Sequence, residues 1–149
     1  MARAFRLQVL LDLAKRRVEA ATQELYRLRI HWDDAQGKLG QLEAYQVEYA
    51  AGLEARMTQG LPAHQFNDYR LFLDKLTRAI QAQTEEAGRR RSAWEEEYAR
   101  WRDLRQRQQA LAVLEQRHWL SEAAIEARRE QKQQDEFALR AVKDNPLRG

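Results

Sequence analysis

The sequence lacks the residues on which several classes of protein depend. No cysteine occurs among its 149 residues, so a disulfide framework and a thiolate metal site are both excluded. Proline occurs only twice and glycine six times, which leaves few places where a helix has to end. No apolar run is long enough to span a bilayer, and the N-terminal segment is too polar for a secretory signal. We therefore expect a soluble, cytoplasmic protein of about one domain's length.

Catalytic motifs are missing as well. The two serines, Ser92 and Ser121, fall inside helical sequence, which excludes a nucleophile elbow, and no glycine-rich phosphate loop occurs. His31, His64 and His118 stand far apart, so we expect solvated helix residues and not metal ligands. Two paired helices would offer no concave, water-excluding pocket in which carboxylate pKa values could shift. The sequence predicts a protein that is not an enzyme and holds no cofactor.

Helix-forming residues dominate what is present. Charged residues make up 33% of the chain and the mean hydropathy is −0.83, while Val, Ile and Thr are scarce and never alternate as in a strand. The net charge of +3 comes from 26 basic and 23 acidic residues that are closely interspersed, unlike the basic stripe typical of nucleic-acid-binding proteins. This composition predicts an all-α fold.

A heptad pattern runs through the first third of the chain. From Ala4 to Leu53, alternating steps of three and four residues connect fifteen positions, and fourteen of them are apolar or aromatic. A 3.5-residue period keeps one seam of side chains facing a partner helix. The pattern ends at Gly60 and Pro62, which suit the end of one helix and the first turn of the next. We predict one coiled-coil domain over residues 1–149, divided as follows: helix 1 at about 3–58, a turn at about 59–62, helix 2 at about 63–142, and a tail at 143–149.

If the two helices pair about this turn, residues whose numbers sum to about 118 lie opposite one another. Ten of the fourteen positions that this register selects between Phe66 and Leu111 are apolar, which supports an antiparallel coiled-coil hairpin. Helix 2 is the longer one, so we expect an unpaired C-terminal overhang from Gln116 to about Val142. The register also gives three large rings small or aliphatic partners: Trp32 opposite Ala87, Trp94 opposite Leu25, and Trp101 opposite Val18.

Two aromatic residues fall beside the seam and not on it. Tyr45 and Phe72 should lie level on one side of the hairpin, with these neighbours on the same stretch: Leu42, Tyr49, Leu76 and Ala79. The rings either cover the edge of the seam or form an apolar patch that binds a partner. The arginines of residues 89–107 and 15–29 also have two interpretations, a solvated salt-bridged face or a docking site for an acidic protein surface.

Several segments resemble the flagellar FliJ family of export proteins. The resemblance is carried by residues 45–49, Gly60, Tyr69 with Phe72, residues 79–83, and the C-terminal run at 128–140. It covers essentially the whole chain. In the C-terminal run, five residues stand where that family has its signature: Lys132, Asp135, Glu136, Phe137 and Arg140.

The resemblance implies a non-enzymatic component of the type III export apparatus of the bacterial flagellum. Relatives are antiparallel coiled coils similar to the central stalk of rotary ATPases. They insert into the ring of the export ATPase (FliI), contact the export gate protein (FlhA) and escort export chaperones. The family's gate-binding surface maps onto Leu42, Tyr45, Tyr49, Phe72, Leu76 and Ala79, whereas Lys38 and Gln83 depart from it. The resemblance also implies peripheral association with the inner membrane, through partners only, at the flagellar base.

We assign binding of the ATPase ring to the overhang, including its five signature residues. Binding of the export gate is assigned to the Tyr45/Phe72 side. Two alternatives remain open. One is a generic coiled-coil scaffold or homodimer held together through the overhang, whereas the export reading predicts a monomer when free. The other is a basic protein that binds nucleic acid with a steep salt dependence.

Overall fold

The computed structural model describes residues 3–144, which form two long α-helices. Helix α1 spans Gln8–Gln59 and helix α2 spans Ala63–Lys143. The two helices pack against each other as an antiparallel hairpin, and residues 3–144 contain no strand. The predicted all-α fold class is confirmed.

Gly60 closes the first helix. Its φ of 90° is the left-handed conformation that L-residues other than glycine adopt at a cost, and its N–H donates a hydrogen bond to the Met57 carbonyl at 3.3 Å. The Pro62 carbonyl then accepts hydrogen bonds from the N–H groups of Gln65 and Phe66, both at 3.1 Å. Proline has no N–H of its own, so it serves well as the residue that caps the start of α2.

The first helix begins later than the heptad pattern suggested. It starts at Gln8 and not near residue 3, because residues 3–5 are not helical. There the Phe5 ring packs on the His118 ring with centroids 5.6 Å apart, and the Arg3 carbonyl oxygen lies 2.7 Å from His118 Nε2. These contacts hold the segment in a conformation that a helix would not allow. At the other end, residues 145–149 of the expected tail lie outside the described residues.

Burial follows the predicted seams. Six hydrophobic residues in the described part of the chain are buried, and all six stand at positions that the heptad register selects: Leu11, Ala21, Ala35, Leu39, Leu76 and Ala87. Three of the six are alanines, so the helices approach closely along a narrow line. Hydrophobic burial along this line holds the hairpin together.

Contacts divide the chain into two units: residues 20–102 form one, and residues 3–19 with 103–144 form the other. The first unit contains a row of large rings. Trp32 and Trp94 have centroids 5.7 Å apart, Tyr98 stacks on Trp94 at 5.2 Å, and Trp101 follows at 5.8 Å from Tyr98. The Trp101 indole N–H also donates to Thr22 Oγ1 at 3.0 Å.

The register placed a small or aliphatic residue opposite each of three large rings, and it did not predict that the rings also contact one another. The register determines which backbone positions are level, but an indole is long enough to reach the next position along the seam. The rings therefore contact one another in offset and tilted arrangements, which aromatic side chains prefer.

The second unit contains the paired end of the hairpin and the last part of α2. Leu11 is fully buried there. His118, expected to be solvated, is half-buried against Phe5, and Trp119 meets its ring at 4.7 Å. The overhang therefore begins later than Gln116, because the non-helical residues 3–5 reach farther per residue than a helix would. From Ala123 to Asp144, every residue is exposed.

Candidate protein-binding surfaces

Four rings form a cluster across the two helices of the residue 20–102 unit. We call Tyr45, Tyr49, Tyr69 and Phe72 the aromatic cluster. The Phe72 centroid lies 4.4 Å from that of Tyr49 and 6.1 Å from that of Tyr45, and Tyr49 lies 5.0 Å from Tyr69. Tyr45 and Phe72 thus lie level with one another, as the register predicts.

Helical spacing explains why these rings meet. Tyr45 and Tyr49 are four residues apart in α1, and Tyr69 and Phe72 are three apart in α2, so each pair shares a helix face. Tyr49, Tyr69 and Phe72 are half-buried, whereas the Tyr45 side chain is 49% exposed. Three rings thus cover the seam, as one interpretation of the sequence expected, while Tyr45 exposes apolar surface to solvent.

The neighbours of the cluster differ in what they present. Leu42 is half-buried and Ala79 is exposed, so both add apolar surface beside Tyr45. Leu76 is only 7% exposed, which makes it a support beneath the patch. Next to it, Gln46 Nε2 donates a hydrogen bond to Thr77 Oγ1 at 3.2 Å and links the helices at the same level.

Two members of this surface were not predicted from the sequence. Tyr69 was assigned to the seam, yet its ring joins the cluster because it stands directly opposite Tyr49. The Arg56 guanidinium lies 5.6 Å from the centroid of the Tyr69 ring, within the range of a cation–π contact. The opposition of Tyr49 and Tyr69 was available from the register, whereas the Arg56 contact depends on side-chain conformation.

The five C-terminal signature residues lie on the exposed end of α2: Lys132, Asp135, Glu136, Phe137 and Arg140. Phe137 is 75% exposed, an unusual position for a phenylalanine in a free surface helix. Asp135 accepts a hydrogen bond from Gln131 Nε2 at 3.0 Å within the same helix. The stretch thus presents charges of both signs around one large apolar ring.

The arginines of the residue 20–102 unit are mostly paired with acids of their own helix. Hydrogen bonds from Arg89 and Arg90 hold the pKa of the Glu86 carboxyl below its usual value. A hydrogen bond from Arg27 likewise lowers the pKa of Glu24. For Arg27, Arg89 and Arg90, this arrangement favours the solvated, salt-bridged interpretation.

Two kinds of site are absent from residues 3–144. No helix there is both long and apolar enough to cross a membrane. No group of three or more His, Asp or Glu side chains in the described part of the chain is placed to hold a metal ion.

Comparison with known proteins places the chain in a family. The model of the flagellar FliJ protein family matches residues 3–146. The chain belongs to the FliJ family. A flagellar FliJ protein of Escherichia coli (strain K12) is 32% identical over 140 residues, which is 94% of this chain and 95% of that protein. A flagellar FliJ protein of Salmonella typhi is 31% identical over 146 residues, 98% of this chain and 99% of that protein. No solved structure matches the chain.

Membership of the FliJ family confirms the resemblance inferred from the sequence. It makes the chain a flagellar export component, in a family that is not known for enzymes. Because the match runs from residue 3 to residue 146, it includes both the aromatic cluster and the C-terminal signature residues.

Proposed function

We propose that the chain is a stalk-like adaptor of flagellar type III export that binds the export ATPase ring (FliI-like) and the export gate protein (FlhA-like). One observation supports the proposal above the others. The aromatic cluster joins both helices and leaves Tyr45 half exposed at a position that corresponds to the family's gate-binding surface. Aromatic side chains held in place by packing are typical anchors of protein interfaces.

We assign binding of the ATPase ring to the exposed end of α2. Residues 123–144 are all exposed, and Phe137 stands among the family's signature charges. Binding these two partners would hold the chain at the inner membrane of the flagellar base, on its cytoplasmic side. Escort of export chaperones belongs to the same proposal, as does a monomeric state of the free protein.

Removal of the aromatic surface tests the gate assignment. We expect the combined variant Tyr45→Ala, Tyr49→Ala and Phe72→Ala to lose binding to the purified export gate protein. Three rings would lose their apolar area, and truncated interface anchors typically cost about 2 kcal/mol or more each. Calorimetric titration measures the affinity, and circular dichroism should report unchanged helix content because alanine favours helices.

Tyr26→Ala is the matched control for this experiment. Tyr26 lies on the same helix and is 72% exposed, but it is not part of the aromatic cluster. The single variant Tyr45→Ala disturbs packing least and should also weaken binding. If the triple variant bound the gate as tightly as the Tyr26→Ala control, the gate assignment would be wrong.

Truncation of α2 tests the ATPase assignment. A chain that ends at Glu122 keeps the half-buried contacts of His118, and all the residues that it loses between 123 and 144 are exposed. We expect this shortened chain to fold, and to have lost both binding to the export ATPase and stimulation of its activity. Sedimentation with the ATPase and measurement of phosphate release provide the two readouts.

A pair of point variants sharpens the assignment. Phe137→Ala should reduce ATPase binding, whereas Leu139→Ala should not, although Leu139 is 64% exposed two residues away. Normal stimulation by the chain that ends at Glu122 would disprove a role for the end of α2.

A further inference from the structure

A second feature of the residue 20–102 unit is a groove that runs between α1 and α2. It has a volume of about 440 Å³. Leu39 and Ala87, which are 7% and 5% exposed, lie at its floor, and Trp32 also lines it. It contains no member of the aromatic cluster and none of the C-terminal signature residues.

The groove exists because α2 has almost no side-chain volume at this level. Ala87 is followed by Gly88, and a Cβ atom built on Gly88 would have no neighbouring atom within 4 Å. A glycine inside a helix is less favourable than an alanine, so the opening at Gly88 lowers the stability of α2. An apolar space next to a tryptophan therefore stays open to solvent.

Two arginines, one from each helix, flank the groove. The Arg29 guanidinium lies 4.1 Å from the centroid of the Trp32 ring, and that of Arg91 lies 5.8 Å from it. Among the residues that line the groove, these two cations face a single acid, Asp33. Cations on both sides of an apolar floor complement a ligand that is apolar in the middle and negatively charged at its edges.

We propose that this groove binds an acidic amphipathic helix of a partner protein. Its lining extends along α1 from Arg29 to Leu39, which is about 15 Å or three helical turns. A third helix lying there would place apolar side chains at i, i+4 and i+7 against Trp32, Leu39 and the gap at Gly88. Its carboxylates would reach the guanidiniums on either side.

The existing ion pairs leave both arginines able to take part. Arg29 Nε lies 3.1 Å from Asp33 Oδ1, and Arg91 Nε lies 2.9 Å from Glu95 Oε1. All four side chains are about half exposed, and exposed pairs of this kind contribute little to stability. A guanidinium has five N–H donors. Each arginine can therefore stay paired with the acid of its own helix and also donate hydrogen bonds to a partner's carboxylate.

Filling the groove tests the proposal without unfolding the chain. The probe is a labelled synthetic peptide of about 20 residues, ~30 Å long as a helix, with leucine on one face and glutamate on the other. Fluorescence anisotropy with the full chain should show saturable binding that weakens with salt. Gly88→Leu should weaken it by about tenfold or more, because the new side chain occupies the space for the peptide's leucines.

Gly37→Leu is the matched control. It is the same substitution at an exposed helical glycine with open space around it, and Gly37 does not line the groove. Both variants should melt no lower than the wild type, since leucine favours helices more than glycine does. A second pair compares charge: Arg91→Glu should weaken peptide binding, and Arg89→Glu, outside the groove, should leave it nearly unchanged.

Each outcome decides for or against the groove. Selective loss in Gly88→Leu and Arg91→Glu supports it. The proposal is overturned by equal affinity in the two glycine variants, by no binding of the glutamate peptide, or by equal binding of a lysine version. It is also overturned if sedimentation shows a dimer that Gly88→Leu alone abolishes, because a second copy would then be the occupant. Export-gate binding by Gly88→Leu should stay normal, so this test is independent of the proposed function.

Discussion

Acidic and basic side chains of this chain interact mainly with their own helix. Six ion pairs in residues 3–144 join residues three or four apart, and Glu86 takes part in two of them, with Arg89 and Arg90. Pairs at this spacing stabilise a helix, each by a small amount that salt reduces. At the scale of single residues, charge therefore supports each helix along its length, while apolar and aromatic side chains join the two helices.

Glu86 gives a prediction about pH. Hydrogen bonds from Arg89 and Arg90 lower its pKa in the folded protein. A carboxyl with a lowered pKa adds stability above its unfolded pKa, and this stability is lost as the pH falls through the folded value. We expect Glu86→Gln to lower the melting temperature slightly at pH 7 and to have no effect at pH 2. Thermal melts at the two pH values measure this difference.

Glu85→Gln is the control for the loss of one negative charge on the same turn. Glu85 makes neither of the hydrogen bonds that Glu86 accepts from the arginines. If both variants changed stability equally at pH 7, the effect would come from net charge and not from the Glu86 contacts.

At the scale of the helices, the glycines have opposite roles. Gly40 lies in the interior of α1, exposed and with nothing near the position of a Cβ, whereas Gly60 has a φ of 90° at the turn. We predict that Gly40→Ala raises the free energy of unfolding by up to about 1 kcal/mol, since alanine is the better helix former. Gly60→Ala should lower it by about 1–2 kcal/mol because of the left-handed backbone. Urea denaturation followed by circular dichroism measures both, and stabilisation by Gly60→Ala would contradict the role of the turn.

The start of α1 is a feature that the heptad pattern does not predict. The apolar repeat continues back to Ala4, yet α1 begins at Gln8. An apolar repeat indicates which residues face the partner helix. It does not indicate where the helical backbone begins. The contacts of Phe5 and Arg3 with His118 join residues more than 110 positions apart, and no local pattern predicts them.

At the scale of the whole molecule, the hairpin and its register were predictable from the sequence. The apolar repeat, one glycine and one proline were sufficient to place Tyr45 level with Phe72. The direct Trp32–Trp94 contact and the groove at Gly88 were not predictable. Both depend on the direction in which long side chains lean, which a seam pattern leaves undetermined.

Self-association distinguishes the proposed function from a generic coiled-coil scaffold. Most seam residues are buried or half-buried within one chain, so a second copy is not needed to cover them. We predict that the free protein is a monomer at micromolar concentration, measured by sedimentation equilibrium. A dimer that disappears in the chain ending at Glu122 would instead support a scaffold that pairs through the end of α2.

The exposure of residues 123–144 has a consequence for how tightly a partner is held. An unsupported helix is only marginally stable in water, so a partner that binds this stretch as a helix must offset the entropy of ordering it. Side chains that touch nothing then influence affinity through helix propensity alone. Alanine in place of a polar residue on the face away from Phe137 would tighten the complex, and glycine would loosen it. In this way the strength of an export complex could be adjusted by residues that never contact the partner.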